Sequence, residues 1–152
     1  MANTRRGKDL TTSKLLTLIR SATTFSEAIA AHDATEEPNF SAYLYELMTA
    51  RSLTPKDIVA LSGIERSYFY HILSGEKRPG RNMVLRMAFS MGATLNETNH
   101  LLKLAGLSDL YPRIRRDAAL IFCLQRKYTL SATNDFLLNE GEEPLYREDN
   151  NA

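Results

Sequence analysis

Between residues 54 and 80 the chain reads Thr54-Pro55-Lys56-Asp57-Ile58-Val59-Ala60-Leu61-Ser62-Gly63-Ile64-Glu65-Arg66-Ser67-Tyr68-Phe69-Tyr70-His71-Ile72-Leu73-Ser74-Gly75-Glu76-Lys77-Arg78-Pro79-Gly80. The pattern is that of two short helices joined by a tight turn. Thr54 brings a hydroxyl to cap the first helix, and Pro55 suits the first helical position, where no backbone donor is needed. Asp57, three residues after the cap, completes a capping box. Gly63 ends the helix where a left-handed residue is wanted. Ile64 re-enters the core, a second helix runs to about Leu73, and Ser74-Gly75 closes it. Apolar residues at Ile58, Leu61, Ile64, Phe69 and Ile72 give each helix one dry side. Arg66, Ser67, Tyr70 and His71 then face outward, with Tyr68 on the border.

This arrangement resembles the helix-turn-helix of XRE/Cro-type (phage-repressor-like) transcriptional regulators. The resemblance rests on the turn glycine Gly63, the apolar Ile64 after it, and the inward Phe69 and Ile72. The Ser74-Gly75 stop and the basic run Lys77-Arg78-Pro79 also match. It covers roughly residues 40 to 106. It implies an all-α fold and a sequence-specific DNA-binding regulator that reads the major groove with the helix Glu65–Leu73. Family likeness places base contacts at Arg66, Ser67 and His71, with Tyr70 on the same outward side. Arginine can hold a guanine edge through two hydrogen bonds, and serine can read either base type. Thr54, Lys56, Lys77, Arg78 and Arg81 are the expected phosphate contacts, which position a protein without reading sequence. Three positions depart from the family pattern. Val59 and Ser62 imply a slightly different angle between the helices, and Pro55 removes one expected phosphate donor.

The rest of the chain extends this module. Thr11 to Ala22 is helical with a Leu15, Leu16, Leu18, Ile19 stripe, and Thr24-Phe25-Ser26-Glu27 caps a short helix to about Ala31. Ala34 to Pro38 is a polar break. Asn39 caps a helix to about Arg51 whose buried side is Phe40, Tyr43, Leu44, Leu47 and Met48. A fourth helix of the module spans Arg81 to Met91 and stops at Gly92. A fifth follows the Thr94–Glu97 capping box and runs to Ala105, with Gly106 as its stop. The chain then repeats itself with a shift of thirty-five residues. Arg81 falls on Arg116, Leu85 on Leu120, Thr94 on Thr129 and Thr98 on Thr133; Asn99 falls on Asn134, Leu102 on Leu137, Gly106 on Gly141 and Leu110 on Leu145. The last two helices are therefore copied as a hairpin from Arg113 to Gly141. The expected organisation is a helical extension over residues 1–38, a five-helix domain over 39–111, the repeated hairpin over 112–146 and a disordered tail over 147–152. Local capping, rather than ligand binding, is the reading for Asn99 and Asn134.

Composition narrows the function. The chain has 152 residues and a formal net charge of +1, with 43% apolar residues. No apolar run is long enough to span a bilayer, and the basic polar start is no secretory leader, so a cytoplasmic protein is expected. The single cysteine, Cys123, excludes an internal disulfide and a cysteine-based zinc site and reads as a buried thiol. Between Arg51 and Arg86 seven basic residues stand against three acidic ones, a net +4 that leaves −3 for the remainder. A basic region on a near-neutral chain suits a protein that meets phosphate with one face.

Plainer readings stand beside these. Arg66 is also placed to pair with Glu65 or Asp57 as a solvated residue. Lys77, Arg78 and Arg81 also read as a polar loop and a helix start, with the neighbouring motif favouring phosphate contact. The basic Met1 to Asp9 segment reads as a loose end before it reads as a DNA-reaching arm. At least one tyrosine of Tyr68-Phe69-Tyr70 suits packing between helices or against a partner as well as DNA. His71 is not at metal-site spacing from His32 or His100. No phosphate-binding glycine loop, nucleophile–base spacing or cofactor signature is present, so a non-enzyme without cofactor or metal is expected. Two functions therefore compete. One is a DNA-binding regulator, a homodimer reading a two-fold site. The other is a protein-interaction module that keeps the fold and grips a partner through its N-terminal helices or C-terminal hairpin.

Overall fold

The computed structural model describes residues 11–33 and 39–148, with the side chains of 31–33 left aside. The expectations for the arm with Arg5, Arg6 and Lys8, for the break at 34–38 and for residues 149–152 of the tail lie outside these residues. Nine α-helices and no strand are present among the described residues, so the chain is all-α. No described helix is long and apolar enough to cross a membrane. The chain divides into two compact units, Met1–Pro38 and Asn39–Ala152.

In the first unit α1 (Thr12–Ser21) and α2 (Phe25–Asp33) pack on each other. Thr11 caps α1 by accepting from the Lys14 N–H. Thr24 accepts from the Glu27 N–H at 3.2 Å, but the Glu27 carboxylate turns back to the N–H and hydroxyl of Thr23, not of Thr24. The capping box is thus shifted by one residue. None of the residues 11–30 is buried, and Leu16, Leu18, Ile19, Phe25 and Ile29 are exposed.

The second unit holds α3 (Phe40–Ala50), α4 (Pro55–Ser62), α5 (Arg66–Leu73), α6 (Arg81–Met91), α7 (Leu95–Leu104), α8 (Arg115–Gln125) and α9 (Leu130–Asn139). Side chains set their limits. Asn39 accepts from the Ala42 N–H. Thr54 with Asp57, and Thr94 with Glu97, form complete capping boxes. Gly63 takes φ +67°, where a side chain would be strained. Arg51 reaches from the end of α3 to the Glu97 carboxylate at 2.6 Å, joining it to the start of α7. One core runs through the unit, from Leu44 and Ile58 through Phe69, Ile72, Leu85 and Leu102 to Leu120, Leu137 and Leu145.

One inward residue of α4 departs from its expected place. Leu61 is 53% exposed and Ser62 only 2%. Ile58 sets the buried side, and the residue four further along returns to that side of a helix; the residue three along falls at its edge. Ser62 tolerates burial because its polar atoms are used. Its Oγ accepts from the Ile64 N–H, and its carbonyl accepts from Arg86.

The thirty-five-residue spacing reappears as paired hydrogen bonds. Arg81 donates to the carbonyls of Ser108 and Asp109, and Arg116 to those of Glu143 and Pro144. The Asn99 Oδ1 accepts from the Leu110 N–H at 2.9 Å, and the Asn134 Oδ1 from the Leu145 N–H at 2.7 Å. In both hairpins the chain leaving the second helix doubles back without secondary structure. Its backbone groups need side-chain partners, and the same two positions supply them. Three bonds cross between the hairpins: Arg81 to Asp117 at 3.0 Å, the Tyr111 N–H to the same Asp117 oxygen at 2.9 Å, and Arg116 to Asn82 at 2.9 Å. Of the tail expected from Arg147 onward, Arg147 is placed, with its guanidinium 3.1 Å from Glu143.

Candidate nucleic-acid interface

The α5 helix is two-sided because Phe69, Ile72 and Leu73 are buried in the core. Arg66, Ser67, Tyr70 and His71 are therefore all exposed along its opposite side. Ser41 of α3 donates to the Ile72 carbonyl, which ties the end of α5 to the bundle. At its start, Glu65 makes no capping bond with its side chain, so the first N–H groups of the helix stay open.

The tyrosines carry cations. The Arg66 guanidinium lies 5.7 Å from the centre of the Tyr70 ring, one turn along the helix, and the Lys77 ammonium lies 5.6 Å from that of Tyr68. Such stacking holds a long side chain extended without neutralising it. Arg66 makes no ion pair among the described residues, and Asp57 is occupied by its bonds to Thr54, which lower its carboxyl pKa. His71 has a partner. Its Nδ1 lies 2.6 Å from a Glu76 carboxylate oxygen. A carboxylate accepts, so Nδ1 is the donor of this pair and Nε2 is the ring nitrogen left free of it.

The seven basic residues between Arg51 and Arg86 separate into two groups. Lys56, Arg66, Lys77 and Arg78 are exposed. Arg51, Arg81 and Arg86 turn inward, to Glu97, Asp117 and the Ser62 carbonyl. Arg81, expected among the phosphate contacts, is held here by two carbonyls and by a carboxylate that is 5% exposed. The cause is the repeat, since Arg81 does in the first hairpin what Arg116 does in the second. Thr54 spends its N–H on Asp57, and its Oγ accepts from the Asp57 N–H, but its hydroxyl proton remains. Lys77 and Arg78 precede α6, whose start has only Gly80 as cap and no side-chain bond to its first N–H groups. A helix start beside two cations is suited to an anion.

Arg86 has the role that sequence reasoning missed. It donates to Ser62 O through Nε and Nη2, and lies 5.4 Å over the Tyr146 ring. Burial lowers its pKa. It fills the carbonyl end of α4, where a cation is favoured. The spacing of the two helices around Gly63 gave no signal for it, because Arg86 is twenty-four residues beyond Ser62. Elsewhere His100 packs edge-on against Tyr43, and Cys123 is buried, which raises its thiol pKa. No three metal-ligating residues cluster among the described residues. The chain matches no family model, no curated protein and no solved structure.

Proposed function

We propose that this chain is a sequence-specific regulator of transcription that binds double-stranded DNA, of the XRE/Cro-type class. In this reading α4 and α5 are a helix-turn-helix, and α5 enters the major groove. One observation carries it: Arg66, Ser67, Tyr70 and His71 stand together on the wet side of a short helix whose other side is anchored in the core. Arg66 reads a base edge, stiffened by Tyr70, and Ser67 and His71 read neighbours. Lys56, Lys77 and Arg78 hold phosphates, with the open N–H groups of α6 beside them. The protein works in the cytoplasm as a homodimer on a two-fold site with half-sites ~34 Å apart. It performs no catalytic step and needs no cofactor or metal.

The test is binding to duplex DNA at a series of salt concentrations, followed by selection from a random duplex pool. With three phosphate cations per protomer, log affinity falls against log salt with a slope of about −3 per protomer. Absence of both salt dependence and an enriched sequence overturns the reading. A second reading, a protein-interaction module on the same fold, draws on one observation: three of the seven basic residues face inward. The same titration separates the two.

A further inference from the structure

The repeat exposes a surface that its first copy keeps covered. In the first hairpin Met87, Ala93 and Leu101 are buried, and α6 packs on α4 while α7 packs on α3. Their counterparts thirty-five residues on are Phe122, Tyr128 and Phe136. In the second unit α8 and α9 pack on each other and on α6 and α7. Phe122 is 38% exposed there, and Tyr128 and Phe136 are half-buried. The three rings gather into one cluster. Phe122 stacks on Phe136 with centroids 5.4 Å apart, and Tyr128 meets each of them edge-on at 6.1 Å. One cation rims it: the Arg126 guanidinium lies 4.7 Å over the Phe122 ring. Lys127 is next in the chain, in a left-handed conformation. Both are exposed, and neither has an ion pair among the described residues.

We propose that the Phe122–Tyr128–Phe136 cluster on α8 and α9 is a docking surface for an amphipathic helix of a partner protein, apolar on one side and acidic along the edge that meets Arg126 and Lys127. The repeat argues for a helix: the same backbone shape, in the first copy, receives α3 and α4. The rim argues for acids, since an exposed, unpaired arginine against the apolar patch, with a second exposed cation next to it in the chain, favours negative groups and disfavours positive ones. The residue types agree, because aromatic rings flanked by arginine are where interface energy concentrates. This surface does not depend on DNA reading, which uses other helices, so either can fail alone.

A library of twenty-residue peptides with randomised flanks around a helical apolar stripe, selected on the full-length chain, tests it. Enrichment of acid-flanked peptides is expected, with binding weakened at least tenfold by Phe122→Ser or Phe136→Ser. Arg126, being exposed, tolerates Arg126→Glu with only a small loss of melting temperature, and the variant reverses preference from acid-flanked to lysine-flanked peptides; it decides the matter if Phe122→Ser fails to fold. No enrichment, enrichment indifferent to flank charge, or binding kept by Phe122→Ser overturns the proposal. So does self-association of the chain that Phe122→Ser abolishes, which would make a second copy the occupant.

Discussion

Arg86 donates twice to the main-chain carbonyl of Ser62, through Nε at 3.2 Å and Nη2 at 3.0 Å. The carbonyl belongs to the last residue of α4, and the next residue is the turn glycine. One guanidinium from α6 therefore closes the end of α4 and braces the turn into α5. A Cβ on Gly63 would stand 3.4 Å from the same Nη2.

Loss of this brace destabilises the whole unit. Arg86→Ala leaves the Ser62 carbonyl without its charged donor and is expected to cost about 2 kcal/mol in urea unfolding. Arg86→Lys recovers part of this, because an ammonium cannot reproduce a two-pronged donor. Amide exchange at Ile64 accelerates in both variants. Unchanged unfolding and exchange would show that the turn stands without Arg86.

Base reading and phosphate holding separate by mutation. Arg66→Ala costs about 1–3 kcal/mol on the selected duplex and leaves unrelated duplexes unaffected. Arg78→Ala weakens all duplexes alike and makes the salt slope shallower by about 1. A selected site bound equally well by Arg66→Ala would show that α5 is docked differently.

Arg81 answers to a different assay. Arg81→Ala is expected to leave the salt slope intact and to lower stability by about 3 kcal/mol, since it leaves the buried Asp117 carboxylate without its counter-charge and with only the Tyr111 N–H as donor. A shallower salt slope with unchanged stability would return Arg81 to the phosphate set.

The two copies of the threonine at the heart of the repeat are not equivalent. Thr98 donates its hydroxyl to the Thr94 carbonyl at 2.8 Å, whereas the buried Thr133 hydroxyl has no nitrogen or oxygen partner among the described residues and only the Cys123 thiol, a weak one, beside it. Thr98→Val is expected to destabilise by about 1 kcal/mol and Thr133→Val to stabilise by a similar amount. Chemical denaturation of the two variants side by side gives both signs. A loss of stability in Thr133→Val would reveal a bond to its hydroxyl.

Acid weakens the fold partly through Glu97. Burial raises its carboxyl pKa, but the Thr94 N–H, Arg51 and the Thr94 hydroxyl together outweigh that and leave it below its ordinary value. A carboxyl depressed in the folded state stabilises above its unfolded pKa, and that contribution is lost as pH falls through the folded value. Glu97→Gln should therefore flatten the fall of melting temperature on the acid side of the ordinary glutamate range. An unaltered acid limb would place the sensitivity elsewhere.

The helices were largely legible in the sequence because each signal is local. Caps at Asn39, Thr54, Thr94 and Thr129, left-handed glycines and apolar spacing all act within a turn or two of the backbone they shape. The same locality explains the misplacement of Leu61. Residues three and four beyond Ile58 both satisfy a helical stripe, and the fourth lies nearer its centre; the serine can be buried there because its hydroxyl accepts from the Ile64 N–H.

Sequence alone determined the all-helical character, the order of the elements and the thirty-five-residue copy, since chain-local preferences and self-similarity need no folded molecule to be read. Tertiary structure decided what each cation does. Arg51, Arg81 and Arg86 are chemically the same as Arg66 and Arg78, but a distant carboxylate or carbonyl turns the first three inward, and nothing in the spacing along the chain measures that distance. It decided likewise that the second hairpin leaves its aromatic side uncovered, because burial depends on which elements come to lie against it.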